Sequence, residues 1–410
     1  MRASATMSEP ATMIRPDAAV EMVVRAAEPR PARSVPLADA VGLRLAETVT
    51  ADDDAPPFPR AMMDGYAVRR VDAGRAVRVV GRVPAGHFID TRVEGGTCLE
   101  IMTGAACPPE TEAVVPVERT RREDEAVVLP AAIEAAENIA AVGSDCRSGQ
   151  TILAAGAAIT PLAVAAMASF GRTAVRVVPR PTLGIITTGT EVVALDAQPA
   201  PGQIRDANGP MLLALATALG LDRPRHFRAG DRVATILAAL ERVADRDIIL
   251  LAGGVSVGRY DLVPEALRQY GAETLFHKVR QKPGKPLLAA RRGRQLLFGL
   301  PGNPLACHLG FQRYVAAAVR AMQAADPTPE GADGMLSSAV ATKGGRTHFV
   351  LASAEQGERP GAWRVHPMPG ASSADVFGTA GANCYLEVPP GREPLPAGSQ
   401  VAFTWLIGRS

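Results

Sequence analysis

Three lysines and several short glycine turns carry the chemistry that this sequence can do. Lys282 and Lys285 sit in KPGKP, where Pro283 and Gly284 force a tight turn, and Lys278 lies four residues upstream. Lysine serves phosphate as a flexible point charge. The alternative for this loop is a solvated basic face. Shortly after comes GLPGNP, where Pro301, Gly302 and Asn303 join an apolar run to a proline-initiated helix. Free N–H groups at such a junction make an anion site from backbone alone, unless the turn is only a connection. GGVSVGRYD places Gly254 and Ser256 after another apolar run, with Asp261 at the start of the next helical stretch. TTGTE supplies Glu191, and Asp231 opens a later helix. Glu191 and Asp261 are the metal candidates, because hard cations such as Mg²⁺ take carboxylate oxygens. Either Glu191 or Asp261 could instead be only a charge at a helix N-terminus.

GVSVG also matches GxSxG, so Ser256 must be weighed as a nucleophile. A nucleophile elbow turns from strand into helix at the serine itself. Here the helical pattern opens only at Asp261, which argues against a serine hydrolase. The glycine spacing fits neither GxGxxG nor a Walker A loop. The 6 histidines form no HExxH or paired spacing, and His277 beside Lys278 reads as structural. Two further turns, Met63-Asp64-Gly65 and the one bearing Thr103, carry single polar groups.

The elements that must hold these groups follow from periodicity. Runs starting at Leu183, Asp247 and Gln295 are short, apolar and stopped by glycine, as buried parallel strands are. Helices are expected over 210–219 with Asn208 as cap, 231–244 capped by Asp231, 261–270, and 304–322. Strands alternating with helices give a parallel sheet, whose ligands collect at the carboxyl ends of the strands. Short β segments at 67–71, 75–80, 97–101, 113–117 and 126–129 give a small β-rich domain. Strand candidates at 347–352, 363–366, 385–388 and 400–405 give another. An amphipathic helix is expected over 16–27.

At 410 residues the chain holds several domains. A formal charge of +2 with no basic stripe excludes a nucleic-acid partner. The 5 cysteines form no CxxC pair, which fits reduced thiols in the cytoplasm. No apolar stretch reaches the length of a membrane span or a signal peptide.

Taken as an ordered set, PPFPRAMMDGYAV, IMTGAACPPETEAVVPVE, GIITTGTEVV, PGQIRDANGPML, LLAGGVSVGRYDLVPEAL, FHKVRQKPGKPLL and LFGLPGNPLACHLGFQ resemble the molybdopterin molybdenumtransferase family, relatives of the gephyrin C-terminal domain. GGRTHFVLA and PMPGASSADVF add a weaker C-terminal match. The resemblance implies a multi-domain chain: a discontinuous linker domain (1–50 and 149–179), a β-rich second domain (51–148), an α/β molybdopterin-binding domain (180–325) and a C-terminal β-barrel-like domain (326–410). It implies insertion of molybdate into adenylylated molybdopterin with release of AMP, dependent on Mg²⁺. It also implies a cytoplasmic homodimer, with molybdoenzymes or their chaperones receiving the product.

Carried over by motif position, the site comprises Asp64, Thr103, Asp145, Glu191, Asp231, Asp261, Lys278, Lys282, Arg346 and Ser373, with Pro301 and Pro304 shaping the anion turn. In the family, Asp64 and Thr103 of one subunit face the mouth of the other. The sequence departs from the family pattern in three places. Ala140, Ala141 and Val142 stand where arginines are usual, Thr190 where an aspartate is, and Arg259 where an acidic residue is common. These changes keep open a second function, that of a non-catalytic or specialised paralogue that carries or delivers the cofactor.

Overall fold

A computed structural model describes residues 13–221, 223–255, 262–341, 344–357, 359, 361–368, 372–391 and 393–409. The chain forms two compact units, one of residues up to Arg33 together with Val178 onward, the other Ser34–Val177.

The first unit is built on a six-stranded sheet in the order Arg225–Ala229, Leu183–Thr188, Ile248–Ala252, Gln295–Leu300, Leu288–Arg292, Glu273–His277. The first four strands are parallel, and Leu288–Arg292 runs against both of its neighbours. Both faces of the central strands are buried, which is why they read as unbroken apolar runs. Alternate residues divide between two cores. Leu183, Ile185, Leu250 and Phe298 pack with Leu212, Phe311 and Tyr314, whereas Ile186, Ile249, Leu251 and Leu297 pack with Ile236, Leu240 and Leu267. The helix Pro16–Ala26 covers the first core with Ala19, Val23 and Ala26.

The connecting helices are Asn208–Ala218, Val233–Glu241 and Val263–Gln269, and the last strand feeds a helical rod with a π-helical turn at Phe311–Val315. Two expected caps differ from the structure. Asn208 lies inside its helix, and the side chain that accepts from Gly209 N is Asp206 (2.9 Å). The Val233–Glu241 helix opens after Arg232, while Asp231 accepts instead from Thr190. Both polar side chains have been drawn to partners on neighbouring loops.

Five strands, Gly331–Leu336, Thr347–Gln356, Trp363–Pro367, Cys384–Val388 and Gln400–Trp405, close into a barrel, because Thr347–Gln356 pairs with Cys384–Val388 as well as with Trp363–Pro367. Closure leaves no open edge. Its core holds Leu336, Val350, Val365, Leu386 and Phe403. A two-residue strand of the α/β segment, Gln281–Lys282, joins the barrel from outside, pairing in parallel with Thr347 and His348.

In the second unit a six-stranded sheet runs Ala113–Pro116, Gly65–Val68, Thr97–Ile101, Ala76–Val83, Ala126–Val128, Arg121–Glu123. Beside it, a three-stranded sheet and the helix Pro161–Ser169, capped by the Thr160 hydroxyl, enclose a separate core around Leu45, Ile159 and Met167. Among the described residues no helix is long and apolar enough to cross a membrane.

Candidate functional site

The carboxyl ends of the parallel strands deliver their glycine turns to one sheet edge. Ala252 pairs with Leu300, the Gly253 amide donates to Leu300 O (2.9 Å), and a Cβ on Gly302 would sit 3.6 Å from Gly253 Cα. The turns that begin at Gly253 and Pro301 therefore open side by side, as expected. Gly253 has φ +106° and a Cβ there would lie 2.6 Å from Thr188 Oγ1, so only glycine brings the two loops together. Among the described residues, the N–H groups of Gly302 and Asn303 have no protein acceptor. They sit at the start of the rod that begins with Pro304, where backbone dipoles favour an anion.

Two side chains brace this turn. Asn208 Nδ2 donates to Gly302 O (2.7 Å), and Asn303 Nδ2 donates to Ser373 Oγ (2.7 Å), while Leu305 N donates to Ser373 O (3.1 Å). Ser373 thus comes to the anion turn. Asn208 itself rests on a buried network: Asp206 accepts from Thr187 Oγ1 (2.6 Å) and lies 3.3 Å from His226 Nε2. Burial pushes the Asp206 carboxyl up, but hydrogen bonds from His226, Gly209 and Thr187 outweigh it and hold the group below its ordinary value. Sequence reading missed this network, since Thr187, Asp206 and His226 share no motif spacing. His277 has a local duty, its Nε2 lying 3.1 Å from Val255 O.

The lysines hang from one hairpin. Lys278 N donates to Leu287 O and Val279 N to Lys285 O (both 2.9 Å), and Ile14 bridges to Val279 from the chain's start. Lys278 has φ +78°, a conformation that costs a non-glycine residue on the order of 1 kcal/mol and is maintained here by those backbone bonds. Lys282 is fixed by pairing with the barrel, and Gln281 beside it is fully buried, bonded to Tyr314 and Gly284. Arg346 immediately precedes that strand pairing. Among the described residues none of the three lysines makes an ion pair. Lys282, Leu305, Phe349, Ser373 and Tyr385 line a cavity of about 380 Å³ where the Lys282 loop and the helix of Leu305 meet the barrel. Its walls are mostly apolar with a few polar groups, as small-molecule sites are.

Glu191 is exposed, with its carboxylate folded back over Gly189, where a Cβ would meet it at 2.6 Å. Asp231 Oδ2 accepts from both Thr190 N and Thr190 Oγ1 (each 2.9 Å). Among the described residues no three His, Cys, Asp or Glu side chains converge to hold a metal. Glu191 follows Thr190 in the chain, so the loop that bonds Asp231 also carries a second carboxylate. That fits Mg²⁺, which takes one or two carboxylates and completes its shell with phosphates and water. Ser256 and Asp261 lie outside the described residues.

In the second unit, Asp64 Oδ1 accepts from Thr103 N (2.6 Å) and Thr103 Oγ1 (2.7 Å), so two residues picked from separate motifs form one pair. Gly65 is required beside it, since a Cβ would fall 2.2 Å from Val115 O. Asp145 is held by Arg60 (3.1 Å), which pairs with Ala140 in a two-residue ladder. Arg60 is a cation that the sequence reading left unassigned. The Thr103 amide, then its hydroxyl, hold the exposed Asp64 carboxyl below its ordinary value; a lesser loss of solvation opposes them and Arg82 adds to them. A depressed folded value means the interaction is present above the unfolded pKa and is lost as pH falls through the folded one. A ¹³C titration of Asp64 should find its midpoint below 3.8, and Thr103→Ala should move it upward. An unmoved midpoint would remove the hydroxyl from the pair.

Burial disfavours the thiolate at four of the cysteines, Cys98, Cys107, Cys307 and Cys384. Burial pushes Cys107 up to about 11 and Cys98 and Cys384 up to about 12.

Three family descriptions match consecutive parts of the chain: MoeA N-terminal region (domain I and II) over 14–171, probable molybdopterin binding domain over 184–321, and MoeA C-terminal region (domain IV) over 333–406. The molybdopterin molybdenumtransferase of Staphylococcus aureus (strain Mu50 / ATCC 700699) is 33% identical over 392 residues, 93% of each chain. That of Bacillus subtilis (strain 168) is 32% identical over 409 residues, covering 96% of this chain and 94% of its own. Among solved structures, a molybdopterin biosynthesis MoeA protein from Pyrococcus horikosii superposes with a TM-score of 0.83 at 25% identity, covering 97% of this chain and 100% of its own.

Proposed function

Since the chain belongs to the molybdopterin molybdenumtransferase family, we propose that it inserts molybdate into adenylylated molybdopterin and releases AMP. The observation that carries this reading is that the Gly302–Asn303 turn, acceptor-free among the described residues, is joined by the Asn303–Ser373 hydrogen bond to a cavity that Ser373 and Lys282 line. A phosphoanhydride needs its charge neutralised as the bond to the AMP phosphorus breaks, and fixed N–H groups with lysines do that without reorganising. The mostly apolar cavity suits the ring system of such a ligand, with Ser373 at its polar rim. Mg²⁺, when bound, would be held by Glu191 and Asp231, with Asp261 as a further carboxylate, and would add charge neutralisation. No side-chain nucleophile is required. Asp64, kept ionised by Thr103, orients the oxyanion or water that enters. Asp145 and Arg346 are substrate-binding residues in this reading.

The protein works as a homodimer in this proposal, so that Asp64 and Thr103 of one copy serve the mouth of its partner. The free thiols, of which Cys98, Cys307 and Cys384 are buried, support a cytoplasmic location.

Incubation with adenylylated molybdopterin and molybdate, with and without Mg²⁺, tests the proposal. AMP and molybdenum cofactor should appear in equal amounts, over many turnovers, and only with Mg²⁺. Tight binding without AMP release would instead make the protein a carrier. The neutral Ala140 opposite Arg60 and the Thr190 hydroxyl at Asp231 are the features that would then explain it.

A further inference from the structure

A histidine outside every recognised motif sits beneath the anion turn. His226 belongs to the strand next to Leu183–Thr188, opposite Ile185. Its Nε2 lies 3.0 Å from Thr187 Oγ1 and 3.3 Å from Asp206 Oδ2, and Thr187 Oγ1 lies 2.6 Å from that same carboxylate oxygen. Thr187 has one hydroxyl proton, and so short a contact to an ionised carboxylate requires that proton. Thr187 therefore has none to give His226, so the hydrogen at Nε2 must belong to the ring. The tautomer is Nε2–H, shared between Thr187 and Asp206.

The order of these groups is not that of a nucleophilic triad. The hydroxyl gives its proton to the carboxylate rather than to the imidazole. Thr187 and Asp206 are also only 2% and 4% exposed, out of reach of a substrate. The network points instead toward the turn above it. Asp206 Oδ1 accepts from Gly209 N and starts the helix Asn208–Ala218, and the imidazole lies against Gly209, where a Cβ would be 2.4 Å from its Cε1. Asn208, in that first turn, donates to Gly302 O. In a trans peptide the next N–H points opposite to the carbonyl. Fixing Gly302 O therefore fixes the direction in which Asn303 offers its N–H.

We propose that His226 is a positioning residue for the anion turn, acting through its Nε2–H on Asp206, and through Asp206 and Asn208 on the Gly302–Asn303 peptide. This rests on the transferase reading for the identity of the anion but not for the mechanics of the turn. It names a residue whose effect reaches the ligand without touching it.

The test uses the full chain, with inorganic pyrophosphate as probe and AMP release as a separate readout. ¹⁵N spectra of the ligand-free protein should show His226 protonated at Nε2 when neutral; protonation at Nδ1 would overturn the proposal. His226→Leu should weaken pyrophosphate binding roughly tenfold, the scale of one charge-assisted contact. In turnover it should raise KM by a similar factor with kcat at saturation within about twofold, because the group touches no reacting atom. His226→Gln keeps an N–H at similar reach and should recover most of the loss. A glutamine variant as weak as the leucine one would show that ring packing, not the donor, is what matters. Asn208→Ala should copy His226→Leu, and the double variant should lose no more than the worse single one, since the two lie on one route. Additive losses would overturn that route. Should wild-type protein bind pyrophosphate yet release no AMP, the transferase reading falls while these arms still decide the role of His226. Failure of the wild type to bind pyrophosphate would remove the anion turn and this inference together.

Discussion

Lys282→Ala is expected to weaken binding of adenylylated molybdopterin by about 1.5–3 kcal/mol, the worth of one hydrogen bond to a charged group. Asp64→Ala should leave that affinity nearly unchanged and slow AMP release at saturation. Its carboxylate serves the entering oxygen rather than the resting ligand, and removing a group used only in the reaction lowers turnover. Titration calorimetry with the intact ligand and single-turnover AMP release separate the two effects. Mixing the variants adds a test of assembly. If each site draws Asp64 from one copy and Lys282 from the other, mixed dimers contain one fully wild-type site, and activity should return on mixing. No recovery, after exchange of subunits is demonstrated by sedimentation or mass spectrometry, would place both residues on a single copy. Loss of affinity in Asp64→Ala as large as in Lys282→Ala, with normal turnover at saturation, would reverse the assigned roles.

Gly253→Ala should be the most damaging small substitution at the sheet edge. The backbone there has φ +106°, and the added methyl would stand 2.6 Å from Thr188 Oγ1 and 2.7 Å from Thr188 O. Left-handed strain and overpacking together cost about 2–5 kcal/mol, because the backbone oxygen cannot step aside as a side chain would. Melting temperature should fall by several degrees and pyrophosphate binding should be lost with it. Gly345→Ala is the control: a Cβ there meets nothing within 4 Å, so stability should stay within about 0.5 kcal/mol. A Gly253→Ala protein that melts and binds like wild type would mean that the two loops have room for a methyl group between them.

The parts of the fold legible in the sequence were those with a local signature. Leu183–Thr188, Ile248–Ala252 and Gln295–Leu300 announce themselves because burial on both faces leaves no polar alternation, and glycines mark where each must stop. Lys282, Gly302 and Asn303 were legible for the same reason, as short motifs with a local mechanism. What could not be read depends on residues brought together from afar. Asn208 and Asp231 each look like helix caps, and each is instead claimed by a loop partner, Gly302 O and Thr190. His226 has no spacing relation to Asp206 or Thr187, so only the pairing of two parallel strands reveals it. The Gln281–Lys282 strand is two residues long, too short for any period.

That short strand makes the two folds of the first unit inseparable as modules. Lys282 is encoded with the α/β segment, yet its backbone is registered against His348 of the barrel, and Thr347 N donates back to Arg280 O (3.1 Å). A barrel transplanted from a relative would bring its own strand curvature and re-aim the lysine, even with every α/β residue unchanged. Recombination between relatives is thus constrained at this seam: the KPGKP loop and the Thr347–Gln356 strand must be inherited together, or diverge together.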